Sequence, residues 1–273
     1  MEQTVQFGFI GAGNMGTALI RAMRQRTADI LISDHTPAKA ERLAKELGIR
    51  AGDNGRIAAC CRTIFLAVKP QVLQAALEEV RETLCRRLEA GESVTLVTMA
   101  AGVTMETVQK LLGRACPIIR IMPNTPVAVG QGIVLYTAAN IREEAALTAF
   151  LDAMAPAGQL VELSEKQIDA ASAVSGCGPA YVYAFIHAMA MGGVRCGLKY
   201  DVALRLAAQT ALGSAQMVLE TGEHPESLKV KVCSPAGTTI EGVKALEEHA
   251  FGSAVMDAVS AAWRRTLELA EKK

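Results

Sequence analysis

The chain has 273 residues, which is enough for two domains or for one large domain with an appendage. Its 28 Lys and Arg residues balance its 28 Asp and Glu residues, and no basic stripe stands out. A net charge near zero gives no long-range attraction for a nucleic acid or an anionic lipid surface. We therefore predict neither a nucleic-acid partner nor a membrane partner.

Seven cysteines are present, and none of them forms a C-x-x-C pair. Because a disulfide framework or a zinc site needs paired spacing, we interpret them as reduced core residues of a cytoplasmic protein and predict no metal site. Residues 170–194 contain no charged side chain, but the glycines and the proline at 176–179 interrupt them, which favours a buried helix over a membrane span. The apolar run near the N-terminus is interpreted as a first strand and not as a signal peptide.

Strands and helices alternate through the first half of the chain. The predicted strands are residues 5–10, 30–33, 63–68, 93–99 and 118–122, with two more at 132–137 and 160–163. The first predicted helix follows the glycines at 11–16 and ends near residue 25. Further helices are predicted at 37–48, 72–88, 105–112 and 142–154. Because each strand is a nearly continuous apolar run, we expect a doubly wound parallel sheet with helices on both faces, which is a Rossmann-type α/β domain.

The first predicted strand leads into the glycine-rich segment GAGNMG at residues 11–16, which opens a helix, and the second strand ends in Asp34. This context is that of a dinucleotide fingerprint. Gly11 permits the tight turn, Gly13 lets a pyrophosphate approach the backbone, and Gly16 allows close packing, while the helix N-terminus supplies N–H groups to the phosphates. We predict a nicotinamide cofactor and an oxidoreductase. The candidate cofactor residues here are Gly11, Ala12, Gly13, Asn14, Met15, Gly16, Asp34, His35 and Thr36.

Asp34 bears on the choice between NAD and NADP. Its carboxylate is expected to accept a hydrogen bond from the ribose 2′-hydroxyl of NAD, and to repel a 2′-phosphate by a few kcal/mol at an effective dielectric of about 20. His35, Thr36 and Lys39 lie nearby in sequence and could offset that repulsion. Either cofactor is therefore compatible with the sequence. Thr36 also stands where it would cap the helix that Pro37 begins.

Further candidates lie where the other strands end, because polar groups at the carboxyl ends of parallel strands face the ligand crevice. The sequences there are AVKP at 67–70, AAGV at 100–103 and RIMPNTP at 120–126. Lys69 is expected to contact a cofactor phosphate or ribose, although an ordinary surface lysine is the alternative. The further candidates are Asn54, Ala67, Val68, Lys69, Pro70 and Ala101 for the cofactor, and Asn124 for the substrate.

After Ser164 only helical periodicity remains. Helices are predicted at 165–174, 179–197, 201–221, 225–232, 238–249 and 252–271. We predict a dinucleotide-binding domain over residues 1–164 and an all-α domain over 165–273. The helices at 179–197 and 201–221 are apolar on nearly all sides and must be buried. A second subunit is expected to cover them, with burial inside one chain as the alternative.

The segment CSPAGTTIEG at 233–242 is a hydroxyl-rich loop that opens a predicted helix. Such a loop directs several N–H and O–H donors to one point, which suits a carboxylate, and a charge-assisted hydrogen bond contributes about 1.5–3 kcal/mol. Plain N-capping of the helix by Thr238 or Thr239 satisfies the sequence equally well. Both interpretations stay open at this point.

Together these segments resemble the pyrroline-5-carboxylate reductase family, whose motifs occur here in the family's order over nearly the whole chain. The matching stretches are FIGAGNMG, FLAVKP, AAGV, RIMPNTP, SGCGPAY and SPAGTTI. The glycine-rich fingerprint is shared by many families, whereas the MPNTP and SPxGTT loops together are much more specific. The resemblance implies reduction of 1-pyrroline-5-carboxylate, a cyclic imine, to L-proline with NADPH or NADH as the hydride donor.

The resemblance also implies an assembly and a substrate site. Family members form homodimers through interlocked C-terminal helices, and often rings of such dimers that make homodecamers. Residues 11–16, Lys69 and Ala101 would hold the cofactor. The implied substrate residues are Ser234, Gly237, Thr238 and Thr239, with Thr239 as the catalytic residue that faces the ring nitrogen.

The chain departs from the family pattern at four places, one of which is Lys231, just before the substrate loop. Asp34-His35-Thr36 stands where the family often has Asn-Arg-Thr or Asn-Arg-Ser, which weakens the case for strict use of NADP. Ala236 replaces a common glycine, and Cys177 replaces a common serine. Because alanine and cysteine are small, we expect no loss of function from these two changes.

The hypothesis is a direct hydride transfer to the imine carbon, which needs little acid–base machinery. This agrees with a substrate loop that contains hydroxyls and amides but neither carboxylate nor histidine. One rival is a β-hydroxyacid dehydrogenase, but the lysine that this chemistry uses after a glycine-rich segment is absent from GPAYV at 178–182. A second rival is a dinucleotide-binding regulator without turnover, against which the intact Thr238-Thr239 pair argues.

Overall fold

The apolar runs of the first half form the strands of one eight-stranded sheet, in the order β3-β2-β1-β4-β5-β6-β7-β8. The computed structural model describes residues 4–271, and the side chains of residues 4–268. The strands are β1 (Val5–Ile10), β2 (Ile30–Ser33), β3 (Arg50–Ala51), β4 (Cys61–Leu66), β5 (Thr95–Thr98), β6 (Ile118–Pro123), β7 (Gly132–Ala139) and β8 (Gly158–Glu162). The Rossmann-type architecture predicted from the sequence is confirmed.

Strands β1 to β6 are parallel, but β7 runs antiparallel to β6. The last strand, β8, is parallel to β7. The sheet is therefore mixed, and the expectation of parallel strands is wrong at the β6–β7 pair. The chain between these strands holds only a short 3-10 helix, Thr125–Val129. It is too short for the crossover of about a dozen residues that a parallel pair requires.

Seven helices accompany the sheet as far as Ser175. They are α1 (Asn14–Met23), α2 (Pro37–Leu47), α3 (Asn54–Cys60), α4 (Pro70–Glu89), α5 (Met105–Leu112), α6 (Glu144–Met154) and α7 (Glu165–Ser175). Helix α3 and the two-residue strand β3 were not predicted. Helix α3 is too short to show a period, and its start depends on Asp53, whose Oδ1 accepts the N–H of Arg56 at 2.6 Å.

The core lies on both faces of the sheet, as a doubly wound fold requires. On one face, the rings of Phe9 and Phe65 stack with centroids 4.1 Å apart, and Phe150 of α6 packs beside them. On the other face, aliphatic side chains of α3, α4 and α5 pack against the strands, among them Leu77 and Val108. The core is therefore mainly aliphatic, with a small aromatic cluster on one face.

Helix α7 is attached to the sheet by buried ion pairs. Arg120 of β6, which is 1% exposed, donates through Nη2 to Asp169 at 2.6 Å and through Nη1 to Glu165 at 3.3 Å. Glu165 also accepts the N–H of Met105 at 2.8 Å.

The chain divides into two compact units, one with residues up to Gly176 and from Ala262 onward, the other with Cys177–Ala261. The ion pairs place α7 in the first unit, whereas the predicted domain boundary lies at 164.

The second half is helical, as predicted. Its helices are α8 (Gly178–Arg195), α9 (Tyr200–Thr221), α10 (Pro225–Lys231), α11 (Thr238–Glu248) and α12 (Phe251–Glu271). Helices α8 and α9 pack together around three small buried residues, Ala190, Ala203 and Ala207. Among the helices of residues 4–271, none combines the length and the apolar character that crossing a membrane would demand.

Many large apolar side chains of α8, α9 and α12 remain exposed. They include Tyr183 and Met191 of α8, Leu206, Leu212 and Leu219 of α9, and Met256 of α12. Leu219 is 70% exposed and Met256 is 64% exposed. A monomeric soluble protein rarely exposes so much apolar surface, which marks a surface for association.

Candidate active site

A groove of about 1250 Å³ opens in the first unit, at the carboxyl ends of β1, β2 and β4. It exceeds the range of about 300–1,000 Å³ that is usual for a small-molecule site. Most of the predicted cofactor residues line it, namely Gly11, Gly13, Asn14, Met15, Gly16, Asp34, His35, Asn54, Ala67, Val68, Lys69, Pro70 and Ala101. Segments that are distant in sequence thus meet at one crevice.

The three glycines of the GAGNMG segment fit a bound pyrophosphate. Gly11 has φ +100°, and a Cβ there would lie 2.6 Å from the carbonyl oxygen of Ala67. A Cβ at Gly16 would lie 2.9 Å from the carbonyl oxygen of Gly11. At Gly13, by contrast, a Cβ would meet no atom within 4 Å and would occupy the groove itself. Gly13 is also the N-cap of α1 and has no side chain to cap it, so the first-turn N–H groups remain for an anion.

Asp34 is held in place by the backbone around it. Its Oδ2 accepts the N–H of Ala12 and its Oδ1 accepts the N–H of Thr36, each at 3.0 Å. Lys39 Nζ lies 3.4 Å from Oδ2, and His35 Nδ1 lies 2.9 Å from Oδ1. Burial raises the pKa of Asp34, but the two N–H groups and the Lys39 ammonium outweigh it, so the pKa lies below its ordinary value. The carboxylate is therefore ionised at neutral pH.

Two predicted cofactor residues do not line the groove. Ala12 is buried, and its N–H is taken by Asp34. Thr36 occupies the N-cap of α2, as predicted, but its side chain makes no capping bond, and its N–H donates to Asp34. Through these two N–H groups, both residues hold the carboxylate of Asp34 in position. The direct contacts with the cofactor that were predicted for them are not seen as groove lining.

A chain of hydrogen bonds extends the polar wall of the groove beyond Asp34. Ser33 Oγ donates to Asn54 Oδ1 at 2.6 Å, and Asn54 Nδ2 donates to Glu79 Oε2 at 2.6 Å. All three residues line the groove. Ser33 could have been predicted because it ends β2, whereas no local signal marks Glu79 in the middle of α4.

Asn124 does not line the groove and takes a positioning role. Its Oδ1 accepts the N–H of Ile133 at 2.9 Å, and its Nδ2 donates to the carbonyl of Ser175 at 2.9 Å. The residue is 8% exposed. The side chain thus ties the end of β6 to β7 and to the end of α7, and its predicted contact with the substrate stays a prediction.

In the second unit, residues 234–237 form a tight turn before α11. The N–H of Gly237 donates to the carbonyl of Ser234 at 3.0 Å, and Ala236 has φ +56°. Gly237 is the N-cap, so Thr238 and Thr239 occupy the first turn of the helix and cap nothing. Within residues 4–271 their hydroxyls have no hydrogen-bond partner. The capping interpretation is therefore wrong, and the interpretation as a ligand-binding loop is retained.

Replacing Ala236 by glycine is expected to raise the free energy of unfolding by about 0.5–1 kcal/mol. Left-handed alanine costs roughly 1–2 kcal/mol, and the greater freedom of glycine in the unfolded chain offsets about 0.4–1 kcal/mol of the relief. Urea unfolding measures the change. Ala245→Gly in the interior of α11 is the matched control, and it is expected to cost about 1 kcal/mol. A lower free energy of unfolding in both variants would contradict the left-handed conformation of Ala236.

Metal ions in proteins are held by sets of ligand side chains such as those of His, Cys, Asp and Glu. No group of three or more His, Cys, Asp or Glu side chains with suitable geometry occurs among residues 4–271. The seven cysteines are all free thiols. Burial raises the pKa of the Cys116 thiol to about 12, which makes it unreactive.

The fold and the groove define a nicotinamide-dinucleotide-dependent oxidoreductase of the Rossmann type. Residues 6–102 match the family model described as NADP oxidoreductase coenzyme F420-dependent, and residues 165–269 match that described as pyrroline-5-carboxylate reductase dimerisation. The chain belongs to the pyrroline-5-carboxylate reductase family. The pyrroline-5-carboxylate reductase of Synechocystis is 39% identical over 98% of this chain and 100% of its own length.

Solved structures of the same family agree along the whole chain. A pyrroline-5-carboxylate reductase from Coxiella burnetii has a TM-score of 0.87 at 30% identity, covering 98% of this chain and 99% of its own. The Plasmodium falciparum enzyme, which was solved with NADP bound, has a TM-score of 0.83 at 29% identity, with coverage of 98% and 99%. The expected resemblance, fold class and cofactor class are thereby confirmed.

Proposed function

We propose that this chain reduces 1-pyrroline-5-carboxylate to L-proline, with NADH or NADPH as the hydride donor. The observation that carries the proposal is the turn at 234–237. It leaves the hydroxyls of Thr238 and Thr239 without partners at the start of α11, in a chain of this family. A helix start with unused N–H and O–H donors suits a substrate that carries a carboxylate.

The groove residues hold the cofactor. Gly13 leaves room for the pyrophosphate, which the N–H groups of the first turn of α1 receive. Lys69, at the N-cap of α4, is proposed to contact a phosphate or ribose, and Ala101, which lines the groove, would border the nicotinamide. When bound, the reduced nicotinamide supplies a hydride.

The loop before α11 holds the substrate. Ser234, Gly237 and Thr238 are proposed to bind the carboxylate, aided by the positive end of the helix dipole. The Thr239 hydroxyl is proposed to face the ring nitrogen and to orient the protonated imine. Protonation makes the imine carbon a better hydride acceptor, and the proton stays on nitrogen as the amine of proline. Catalysis then comes chiefly from correct placement of the two reacting carbons.

We also propose an assembly for this activity. In it, residues 165–273 form the dimerisation and substrate-binding domain, and a second copy covers the exposed apolar side chains of α8 and α9 in a homodimer. Five such dimers would form a homodecamer. A cytoplasmic location is proposed with it, in keeping with the seven free thiols.

The test is turnover with a defined product. Purified protein is incubated with 1-pyrroline-5-carboxylate and either dinucleotide, and proline is quantified against dinucleotide oxidised. We expect a one-to-one ratio that requires the substrate. Reduction of NAD⁺ by a β-hydroxyacid would support the dehydrogenase instead. Tight dinucleotide binding with no turnover of the imine would support a regulator and overturn the proposal.

A further inference from the structure

We propose that this chain selects NADH over NADPH, because the part of the groove next to β2 is acidic and its cations are already paired with Asp34. The inference deepens the proposed function, and rests on it only in taking the ligand of the groove to be a nicotinamide dinucleotide. In a Rossmann domain, the residue at the end of the second strand lies beside the 2′ position of the adenosine ribose. That residue here is Asp34.

Asp34 cannot turn away from a 2′-phosphate. Two backbone N–H groups, those of Ala12 and Thr36, each hold one of its oxygens at 3.0 Å, and its side chain is only 4% exposed. A fixed carboxylate repels the phosphate of NADPH, whereas the hydroxyl of NADH brings no charge.

The two basic side chains near Asp34 are already in contact with its carboxylate. Lys39 Nζ lies 3.4 Å from Asp34 Oδ2, and His35 Nδ1 lies 2.9 Å from Oδ1. A 2′-phosphate would have to compete with Asp34 for both groups. Lys69 also lines the groove, but it follows β4, on the other side of β1 from β2. Arg56 lies beside Gly52 and is not among the residues that line the groove.

Three more carboxylates line the same groove. Glu41 is on α2, Asp53 is the N-cap of α3, and Glu79 of α4 is bonded to Asn54. Together with Asp34 they make four carboxylates, against the three basic groups Lys39, Lys69 and His35 that line the groove, so the lining is negative even when His35 is protonated. A phosphate monoester adds a charge of about −1.5 to −2 at neutral pH. The electrostatic cost therefore falls on NADPH alone.

The test is direct binding to the full-length protein without substrate, by titration calorimetry. NADH is compared with NADPH, and AMP with 2′,5′-ADP, which isolates the ribose end. We expect the dissociation constant of NADH to be lower by at least about tenfold, the two fragments to differ in the same direction, and the difference to shrink with added salt. Equal affinities, or tighter NADPH, would overturn the proposal.

Two substitutions test which carboxylates produce the preference for NADH. Asp34→Asn is expected to reduce the NADH preference by at least about tenfold, and Glu41→Gln by roughly twofold to fivefold. Glu78→Gln on α4, which does not line the groove, is the matched control and should leave the ratio unchanged. If Asp34→Asn fails to fold, the ratio of the NADPH and NADH dissociation constants in Glu41→Gln tests the proposal, and an unchanged ratio would overturn it. Preference for NADH without any proline formation would overturn the proposed function and leave this inference standing.

Discussion

Replacing Gly13 by valine is expected to weaken NADH binding at least about a hundredfold, or about 2.7 kcal/mol, while the protein stays folded. In the structure a Cβ at this position meets no atom within 4 Å, so the new side chain starts in open space that a bound ligand would fill. It would occupy the space through which the pyrophosphate reaches the N–H groups of α1. Calorimetric titration gives the dissociation constant, and the melting temperature is expected to shift by no more than about 4 °C.

Gly11→Ala is the contrasting variant. Its Cβ would lie 2.6 Å from the carbonyl oxygen of Ala67, at φ +100°, so the substitution strains the fold itself. We expect a loss of stability of more than about 1–2 kcal/mol. If Gly13→Val kept the wild-type affinity, or lost it only in step with unfolding, the groove would not be the dinucleotide site.

Replacing Thr239 by valine is expected to lower kcat/KM for 1-pyrroline-5-carboxylate at least about tenfold, which is about 1.4 kcal/mol. Valine keeps the branched shape and removes only the hydroxyl, and a hydrogen bond to a charged group contributes about 1.5–3 kcal/mol. The hydroxyl has no partner among the described residues, so its loss leaves the fold unchanged. Steady-state kinetics measures the effect, and the dissociation constant of NADH should not change.

Thr239→Ser separates the hydroxyl from the shape of the side chain. Serine retains the donor and is expected to recover most of the activity. Equal losses in the serine and valine variants would mean that shape, and not hydrogen bonding, explains the effect. Wild-type kinetics in the valine variant would remove Thr239 from the catalytic role.

Most of the fold could be predicted because long elements carry their own pattern. Apolar runs mark β1, β4 and β6, and the long helices α9 and α12 were predicted to within one residue of their observed bounds. The direction of β7 could not be predicted from its residues, because an apolar strand looks the same in both directions. The direction follows instead from the short connection after Pro123, which is too short for a parallel crossover.

The residues that line the groove could be predicted from position, because the ends of parallel strands meet at one crevice. The roles of Ala12, Thr36 and Asn124 could not, since the partner of a given backbone N–H or side-chain amide is set by tertiary structure. Glu79 was missed for a related reason, because which positions of α4 face the groove depends on how the helix packs. At 238–239 the structure excludes capping, because Gly237 is the N-cap and follows the left-handed Ala236.

The central claim is that this chain transfers a hydride directly to a cyclic imine, and isotope transfer tests it most directly. The protein is incubated with 1-pyrroline-5-carboxylate and NADH that carries deuterium on the transferring face of nicotinamide C4. We predict proline with one deuterium on the ring carbon next to nitrogen, the one that does not bear the carboxylate. Proline without deuterium at that carbon, or no proline in a protein that binds NADH, would contradict the account.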